Sequence, residues 1–484
     1  MTQRQFPLNR AVAICIRIIW LVIGMVSASA PAFSQSVDSL LHEAFRNNPQ
    51  LQSAGYKTDA AESRATAARA LPAPTLGIEF SQIPTGSTNI VNEAISNNFS
   101  LSQMFMLGGK LSAMSEMETV KGSMLEHTQA SLETQLRAKV KMNYIQLWRL
   151  DRQIELQQRT IRLLEELAAS LQSRVATNRT RTADALTLQS EIESERARLD
   201  ELTAKRMNAQ NTLASLCAPQ ATTVSAGMRM DDGAARGNGS EQRGSVRALL
   251  DVYNAGYPIT PDSALPALPP MLSEEELAGT LLDFNPSLQT MEHMKLMNDA
   301  EIKVAHKELI PDVMLQAMIM RMPNGMILTS GQRSVLEIQE SNMGMPMGKT
   351  EWMYSLMASI TLPFVPWSSE RSSAKADEMR SMNLSVDAEQ RAMQREMLSS
   401  LRSSMNTYRM QDSLARRYAE RVVPLAHDAA RAQMVAYQTG QTPLQSVIDA
   451  YRMELMKQDD FLMALMNKQM AFIEIEMMVG VPLQ

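Results

Sequence analysis

Methionine is the residue whose frequency and spacing point most clearly to chemistry in this sequence of 484 residues. The chain has 39 methionines, and 28 of them follow residue 270. Met318, Met320 and Met322 alternate with other residues, and residues 343–347 repeat the same Met-x-Met-x-Met spacing. Thioethers are soft, neutral ligands that prefer Cu(I), and by the same softness Ag(I), over hard cations. The pattern therefore predicts the handling of a soft metal ion, provided that the fold brings the sulfur atoms together.

Strands must position these methionines, because the surrounding sequence alternates with a period of two. Apolar residues occupy every second position of 313–319 and 352–360, and residues 76–80 and 99–105 alternate in the same way. Such alternation indicates strands with one apolar face. Six methionines fall on the opposite face, namely Met314, Met318, Met320, Met322, Met353 and Met357. The long loop between the last two strands adds three further candidate metal ligands, Met343, Met345 and Met347.

Other methionines have a simpler explanation, because they recur at helical spacing. Methionine forms helices readily and fills irregular cores. Packing is our interpretation of one such set, which comprises Met453, Met456, Met463, Met466, Met470 and Met477. A predicted helix just before the third strand carries the stretch Met291-Glu292-His293-Met294-Lys295-Leu296-Met297.

The chain contains an internal repeat. Asn48-Pro49-Gln50-Leu51-Gln52 is echoed by Asn285-Pro286-Ser287-Leu288-Gln289, and each is followed by a helical stretch, a proline and strand-like sequence. A period of this kind indicates duplicated structural units. We predict two copies of one unit at residues 31–217 and 277–484. The intervening residues 218–276, rich in proline and glycine, are predicted to be a linker.

Long helices account for most of each copy. Residues 123–217 contain neither glycine nor proline, and neither do residues 367–423 and 444–479. Pro424 predicts a break after the second of these stretches. At 1.5 Å per residue, a helix of 50 residues is about 75 Å long. The predicted fold class is therefore mainly α, with long coiled-coil helices and two strand pairs.

The N-terminus predicts export. Basic residues precede an apolar stretch that ends in small residues, the pattern of a secretory signal peptide over residues 1–30. A single membrane anchor is the alternative interpretation, and cleavage after Ser34 is a second possible boundary. Removal of the signal peptide takes Cys15 away and leaves Cys217 as the only cysteine, so no intrachain disulfide can form.

The strand count predicts an assembly. Each chain offers four strands of about ten residues, the length that spans a bilayer when tilted. Four strands cannot close a barrel, and an open edge in lipid would leave backbone groups unsatisfied. A homotrimer that shares twelve strands resolves this, with the helices of three chains forming a second tube outside the membrane. The alternative is a structural periplasmic coiled-coil scaffold with a small exposed sheet.

No catalytic constellation is found in the sequence. The five histidines are scattered, and there is no Gly-x-Ser-x-Gly elbow, phosphate-binding loop or Cys-x-x-Cys motif. A net charge of −5 gives no basic footprint for nucleic acid. We therefore expect no enzyme, no cofactor and no nucleic-acid partner. Any energy for transport would come from a partner protein.

The sequence resembles the TolC-type outer-membrane efflux proteins over nearly the whole mature chain. The two Asn-Pro-x-Leu repeats, the two strand pairs and the two helical hairpins carry the resemblance, and the hairpin tip at 437–449 is its most specific part. The resemblance implies a homotrimeric conduit in the cell outer membrane, in contact with its lipid and with a periplasmic helical domain. It also implies a periplasmic adaptor protein and an inner-membrane pump, which we expect to be proton-driven.

The resemblance extends to individual residues at the hairpin tips. It implies a glycine turn at Gly440 and places Asn178 at the matching position of the first copy. Thr442 stands where some members have an arginine, and Ser446 occupies one of two positions that are acidic in some members. The implied adaptor-docking tips comprise Asn178, Arg181, Thr182, Asp184, Tyr437, Gly440, Thr442 and Leu444. Asp449, with Ser446, is the implied periplasmic gate, where three carboxylates would form a ring that favours cations; an ordinary exposed helix aspartate is the alternative.

The combined hypothesis is a passive export conduit. The methionines opposite the apolar strand face would line its lumen, which favours Cu(I) or Ag(I) as cargo and the heavy-metal branch of the family. A different metal cation, a drug or another small molecule remains an alternative cargo.

Overall fold

The structure is a computed structural model that describes residues 36–81, 83, 89–176, 182–217, 259, 261, 264–323 and 350–483. The predicted signal peptide and most of the predicted linker lie outside these residues. Contacts divide the chain into two compact units, one of residues 1–49, 132–281 and 399–484 and the other of residues 50–131 and 282–398. Each unit takes segments from both predicted repeats. The two compact units therefore do not coincide with the two repeats, and the repeat boundaries stay a prediction from the sequence.

Helices dominate the described residues, as predicted. The short helices of the first copy are α1 (Val37–Asn47), α2 (Pro49–Arg69) and α3 (Ile90–Glu93), and its long helices are α4 (Lys110–Ala176) and α5 (Thr182–Cys217). The second copy contains α6 (Glu274–Phe284), α7 (Pro286–Glu308), α8 (Pro366–Arg417), α9 (Val423–Gln438) and α10 (Leu444–Val479).

The two strand pairs form one antiparallel sheet. The strands are β1 (Thr75–Ser81), β2 (Ser96–Met106), β3 (Asp312–Met322) and β4 (Glu351–Ile360), and their order in the sheet follows the chain. The strand prediction is therefore confirmed in both copies. β2 and β3 come from different copies and pair over ten residues, from Asn97–Arg321 to Met106–Asp312. This pairing joins the two copies within one sheet.

The Asn-Pro repeat marks a helix junction in each copy. In the second copy, the Asn285 side chain accepts hydrogen bonds from the backbone N–H groups of Ser287 (2.9 Å) and Leu288 (3.2 Å), while Pro286 opens α7. An asparagine cap satisfies helix donors that have no intrahelical partner, and proline loses nothing at the first helical position. The repeat thus directs one helix to end and the next to begin.

Pro424 does not break its helix, contrary to the prediction. A π-helical turn at Tyr418–Val422 connects α8 to α9, and Val423 donates to the Tyr418 carbonyl group. Proline cannot donate to the carbonyl four residues earlier, but one wider turn accommodates the missing bond without leaving the helical conformation. The second hairpin therefore has a continuous first arm from Pro366 to Gln438.

Both hairpins meet in one apolar cluster within the first unit. It contains side chains of α4, α5 and α10, with Met434 and Tyr437 of α9 packed against it. The buried members are Leu164, Leu167, Leu171, Leu188, Ile192, Leu444, Val447 and Ile448. Burying a side chain of this type stabilises a fold by about 1.5–3 kcal/mol. This cluster therefore holds the ends of the hairpins together and positions the second tip.

Candidate functional site: the sheet faces and the hairpin tips

One face of the sheet is apolar and exposed. Tyr354 and Leu356 of β4 have 85 % and 81 % of their surface exposed, and Trp352 has 63 %. The register places large apolar side chains of all four strands on this face, namely Leu76, Ile78, Phe99, Leu101, Leu315, Ile319, Trp352, Tyr354, Leu356 and Ile360. Soluble monomers rarely expose a contiguous apolar surface of this extent.

The opposite face carries the methionines. Met320 of β3 lies directly across from Met353 of β4, and Met314 lies across from Met104 of β2. Residues directly opposite in an antiparallel pair have Cβ atoms about 4.5–5.5 Å apart, so their thioethers are within reach of each other. The remaining positions of this face are mostly small or polar, as the serines at 100, 102, 355 and 359 illustrate. All six strand methionines predicted for one face do share it.

Two methionines of this face were absent from the predicted set. Met104 and Met106 belong to β2 and share the face because Met104 pairs with Met314 and Met106 with Asp312. The sequence signal that places both on this face is the alternation of Phe99, Leu101 and Phe105 with the residues between them. Met343, Met345 and Met347 lie outside the residues that the structure describes.

An ion pair fixes the end of the sheet where β3 begins. The Lys110 ammonium group, which is buried, donates to both carboxylate oxygens of Asp312 at 2.7 Å. Just before Lys110, Gly108 has φ +69°, and a Cβ there would lie 2.3 Å from the Ile310 Cδ1 atom. A left-handed residue in such close contact requires glycine. The turn from β2 into α4 is thereby fixed against the start of β3.

The second hairpin tip ends α9 in a Schellman motif. Gly440 has φ +78°, its N–H donates to the Tyr437 carbonyl, and the Gln441 N–H donates to the Ala436 carbonyl. This is the pair of bonds by which a left-handed glycine terminates a helix. Pro443 then precedes α10, whose first residue Leu444 is buried in the apolar cluster. The chain reverses at Gly440.

The structure describes only some of the other predicted tip residues. Asn178 and Arg181 lie outside the described residues, and Thr182 is described only as the first residue of α5. Asp184 occupies the first turn of α5, where a carboxylate is favoured by the helix dipole. The Thr442 hydroxyl is buried and has no hydrogen-bond partner among the described residues. The Thr442 side chain therefore leaves one buried polar atom unpaired at the second tip.

The predicted gate residue Asp449 lies on α10, with 58 % of its side chain exposed. Gln445 donates to its Oδ1 atom at 3.0 Å, and Arg452 Nη1 lies 3.7 Å from the same atom. Arg452 is held elsewhere, because its guanidinium group binds both carboxylate oxygens of Glu191 on α5. The Asp449 carboxylate is therefore exposed and only partly compensated, while Ser446 lies half-buried one turn earlier.

Among the described residues, no three side chains of His, Cys, Asp or Glu are grouped so that they could hold a metal ion. Cys217 is buried, and burial with the nearby Glu43 charge raises the pKa of its thiol to about 12. A thiol must lose its proton to bind a metal well.

Among the described helices, none is both long and apolar enough to span a membrane.

Comparison with known proteins agrees with this architecture. Residues 40–218 match the family model described as outer membrane efflux protein. No curated protein sequence matches the chain. Three similar solved structures are the CusC channel, the open state of MtrE from Neisseria gonorrhoeae and VceC from Vibrio cholerae.

The three structures resemble the chain in fold rather than in sequence. CusC is 17 % identical, with 93 % of each chain covered and a TM-score of 0.64. MtrE is also 17 % identical, with coverage of 92 % of this chain and 89 % of its own and a TM-score of 0.64. VceC is 14 % identical, with coverage of 93 % and 97 % and a TM-score of 0.64. The sequence match to the outer membrane efflux protein family thus covers residues 40–218, and nearly the whole length of the chain shares the fold of the three solved channels.

Proposed function

We propose that the chain is the outer-membrane channel subunit of a tripartite efflux system. The observation that carries this proposal is the sheet, whose one face is apolar and exposed while the other is polar and rich in methionine. A sheet with this distribution suits lipid on one side and a water-filled passage on the other. The channel is a passive conduit, so a partner supplies the energy for export.

The sheet edges support a homotrimer. β1 and β4 are the outer strands of the four, and each has one edge without a partner strand among the described residues. In lipid such edges must pair, since every unsatisfied backbone group costs several kcal/mol. Three chains joined β4 to β1 would form a closed barrel of twelve strands, within the range of known barrels. The long helices would extend into the periplasm as an α-helical tube.

The hairpin tips are the proposed contact with a periplasmic adaptor, which would connect the channel to an inner-membrane pump that we expect to be proton-driven. The glycine turn at Gly440 and the buried Leu444 give the second tip a fixed shape. Asp184 and the residues from Asn178 to Thr182 would form the corresponding first tip. Three exposed Asp449 carboxylates, one per chain, would surround the periplasmic opening and attract cations.

The proposed cargo is Cu(I) or Ag(I). Support comes from the Met320–Met353 and Met314–Met104 pairs, which bring soft ligands together on the face proposed to line the passage. A drug or another small molecule is the alternative cargo, and the CusC, MtrE and VceC folds do not separate the two. The periplasmic scaffold is less favoured, because it leaves the apolar sheet face without cover.

Fractionation tests the channel itself. We expect the protein in the outer membrane, migrating as a trimer that heating converts to monomer. A monomer in the soluble periplasmic fraction would contradict the proposal and favour the scaffold.

A sensitivity assay tests the cargo. A strain that lacks this protein should become sensitive to copper or silver, and the wild-type chain should restore resistance. A variant with leucine at the six strand methionines, 314, 318, 320, 322, 353 and 357, should not. The matched control replaces six helical methionines with leucine, at 453, 456, 463, 466, 470 and 477, and should restore resistance fully. Equal rescue by both variants would assign the strand methionines to packing.

A further inference from the structure

A second group of soft donors lies away from the sheet, between α4 and α7. These helices run antiparallel, as their two flanking contacts show: Ser131 hydrogen-bonds Ser287 at 3.0 Å, and Glu116 pairs with Lys303 at 2.9 Å. All four residues belong to the second compact unit. The interface between these contacts is therefore held in a defined register.

Two histidines meet between these contacts, nearer to the Ser131–Ser287 end. The ring centroids of His127 on α4 and His293 on α7 are 4.3 Å apart, with an angle of 34° between the ring planes. The Nδ1 atom of His293 is buried and has no hydrogen-bond partner among the described residues. A buried polar atom without a partner costs free energy and calls for an explanation. Imidazole nitrogen is also a common metal ligand.

Two methionines lie one helical turn from the histidines, on the same side of the interface. Met124 precedes His127 by three residues, and Met297 follows His293 by four, spacings that place side chains on one helix face. Because the helices are antiparallel, both steps lead toward the Glu116–Lys303 end. Met124 and Met297 are half-buried. Two imidazoles and two thioethers thus converge on one region.

The charges around this region suit a soft, singly charged cation. The carboxylates whose charges act on His293 are those of Glu292 on its own helix and Glu126 on α4, and both side chains are exposed. Burial and the neighbouring His127 lower the pKa of His293. Hard divalent ions prefer oxygen ligands, whereas imidazole and thioether select copper in its reduced state.

We propose that His127 and His293, assisted by Met124 and Met297, form a binding site for Cu(I) or Ag(I). The two rings would rotate out of their mutual contact so that one nitrogen of each turns to the ion. This site goes beyond the proposed conduit, because it consists of helix residues and does not require the strand methionines. It would hold a metal ion whatever cargo the channel carries.

The test uses the purified full-length trimer in detergent and silver nitrate in a chloride-free buffer. To separate this site from the other candidate ligands, the starting protein carries leucine at the methionines of the sheet face and of the loop after β3, namely residues 104, 106, 314, 318, 320, 322, 343, 345, 347, 353 and 357. We expect about one Ag(I) per chain to remain bound after dialysis and to be detected by mass spectrometry of the metal. X-ray absorption of the Cu(I)-loaded protein should show imidazole nitrogen together with sulfur around the metal.

The variants assign the site to its residues. His127→Leu combined with His293→Leu should remove the bound ion, and Met124→Leu combined with Met297→Leu should weaken binding by about tenfold or more. The matched control is His306→Leu, an exposed histidine on α7, which should bind as before. Retention of the ion in the double histidine variant would overturn the proposal. If that variant does not assemble, the absorption spectrum of the parent protein decides, and a spectrum without imidazole would equally overturn it. If the trimer binds silver in vitro but a strain that lacks the protein is no more sensitive to silver, the site stands and only the proposed cargo is contradicted.

Discussion

Adjacent residues of β4 should respond oppositely to a charge. Leu356 is 81 % exposed on the apolar face, whereas Ser355 lies on the methionine face across from Met318. Leu356 is the sixth of the ten residues of β4, near the middle of the strand. If the apolar face contacts lipid, Leu356→Arg places a guanidinium group near the bilayer centre, and Ser355→Arg places it in the aqueous passage.

The free-energy cost of Leu356→Arg depends on how close the residue lies to the bilayer centre. A basic side chain on the lipid face of a barrel costs about 2–4 kcal/mol at the midplane and close to zero near the interfaces. One chain would therefore lose a factor of about 30–1,000 in its folding equilibrium. Because a trimer carries the substitution three times at well-separated sites, the costs add to about 6–12 kcal/mol. A loss of that size is comparable to the whole stability of a typical protein.

The assay compares the two variants in the outer membrane. We expect Leu356→Arg to abolish the heat-modifiable trimer and to lower the amount of protein recovered from the outer membrane, whereas Ser355→Arg should assemble and change only conductance. A second pair on β3, Leu315→Arg and Gln316→Arg, repeats the comparison on a neighbouring strand. Equal tolerance within each pair, or greater damage from the Ser355 and Gln316 variants, would refute the assignment of the faces.

Four further substitutions and treatments have expected outcomes. Gly440→Ala forces a side chain into a left-handed conformation and should destabilise the second tip by about 1–2 kcal/mol, seen as faster proteolysis there, while Gly440→Asn should cost less. Arg452→Met leaves the Glu191 carboxylate, only 9 % exposed, without its partner and should lower the trimer melting temperature; an unchanged temperature would show that the pair adds no stability. Cys217, with the pKa of its thiol raised to about 12, should resist alkylation at neutral pH until the protein unfolds. Asp449→Ala should reduce cation selectivity and cation block in planar bilayers, and an unchanged single-channel record would remove the carboxylate ring from the account.

Local periodicity explains which parts of the fold were predictable. The alternation from Val313 to Ile319 predicted β3 and the side of the sheet that each residue occupies. Successive side chains of a strand point to opposite faces, so the order of residues alone gives the face of each one. The Asn-Pro repeats predicted the helical stretches that follow them for the same local reason. Pro424 was misjudged because its effect depends on whether the helix can widen by one turn, as it does at Tyr418–Val422.

Contacts between distant segments were not predictable. His127 and His293 are 166 residues apart, and no spacing rule connects them. The same holds for Arg452 and Glu191, which meet only because α5 and α10 pack together. Met104 is an intermediate case: its parity was readable, but its pairing with Met314 depends on β2 and β3 of different copies joining in one sheet.

We propose that three copies of this chain close one barrel in the outer membrane. The most direct measurement is the native mass of the protein extracted from that membrane in detergent. We expect the mass of three chains, in a complex that dissociates only on heating. A native mass of one chain, or recovery of the protein from the soluble periplasm alone, would contradict it.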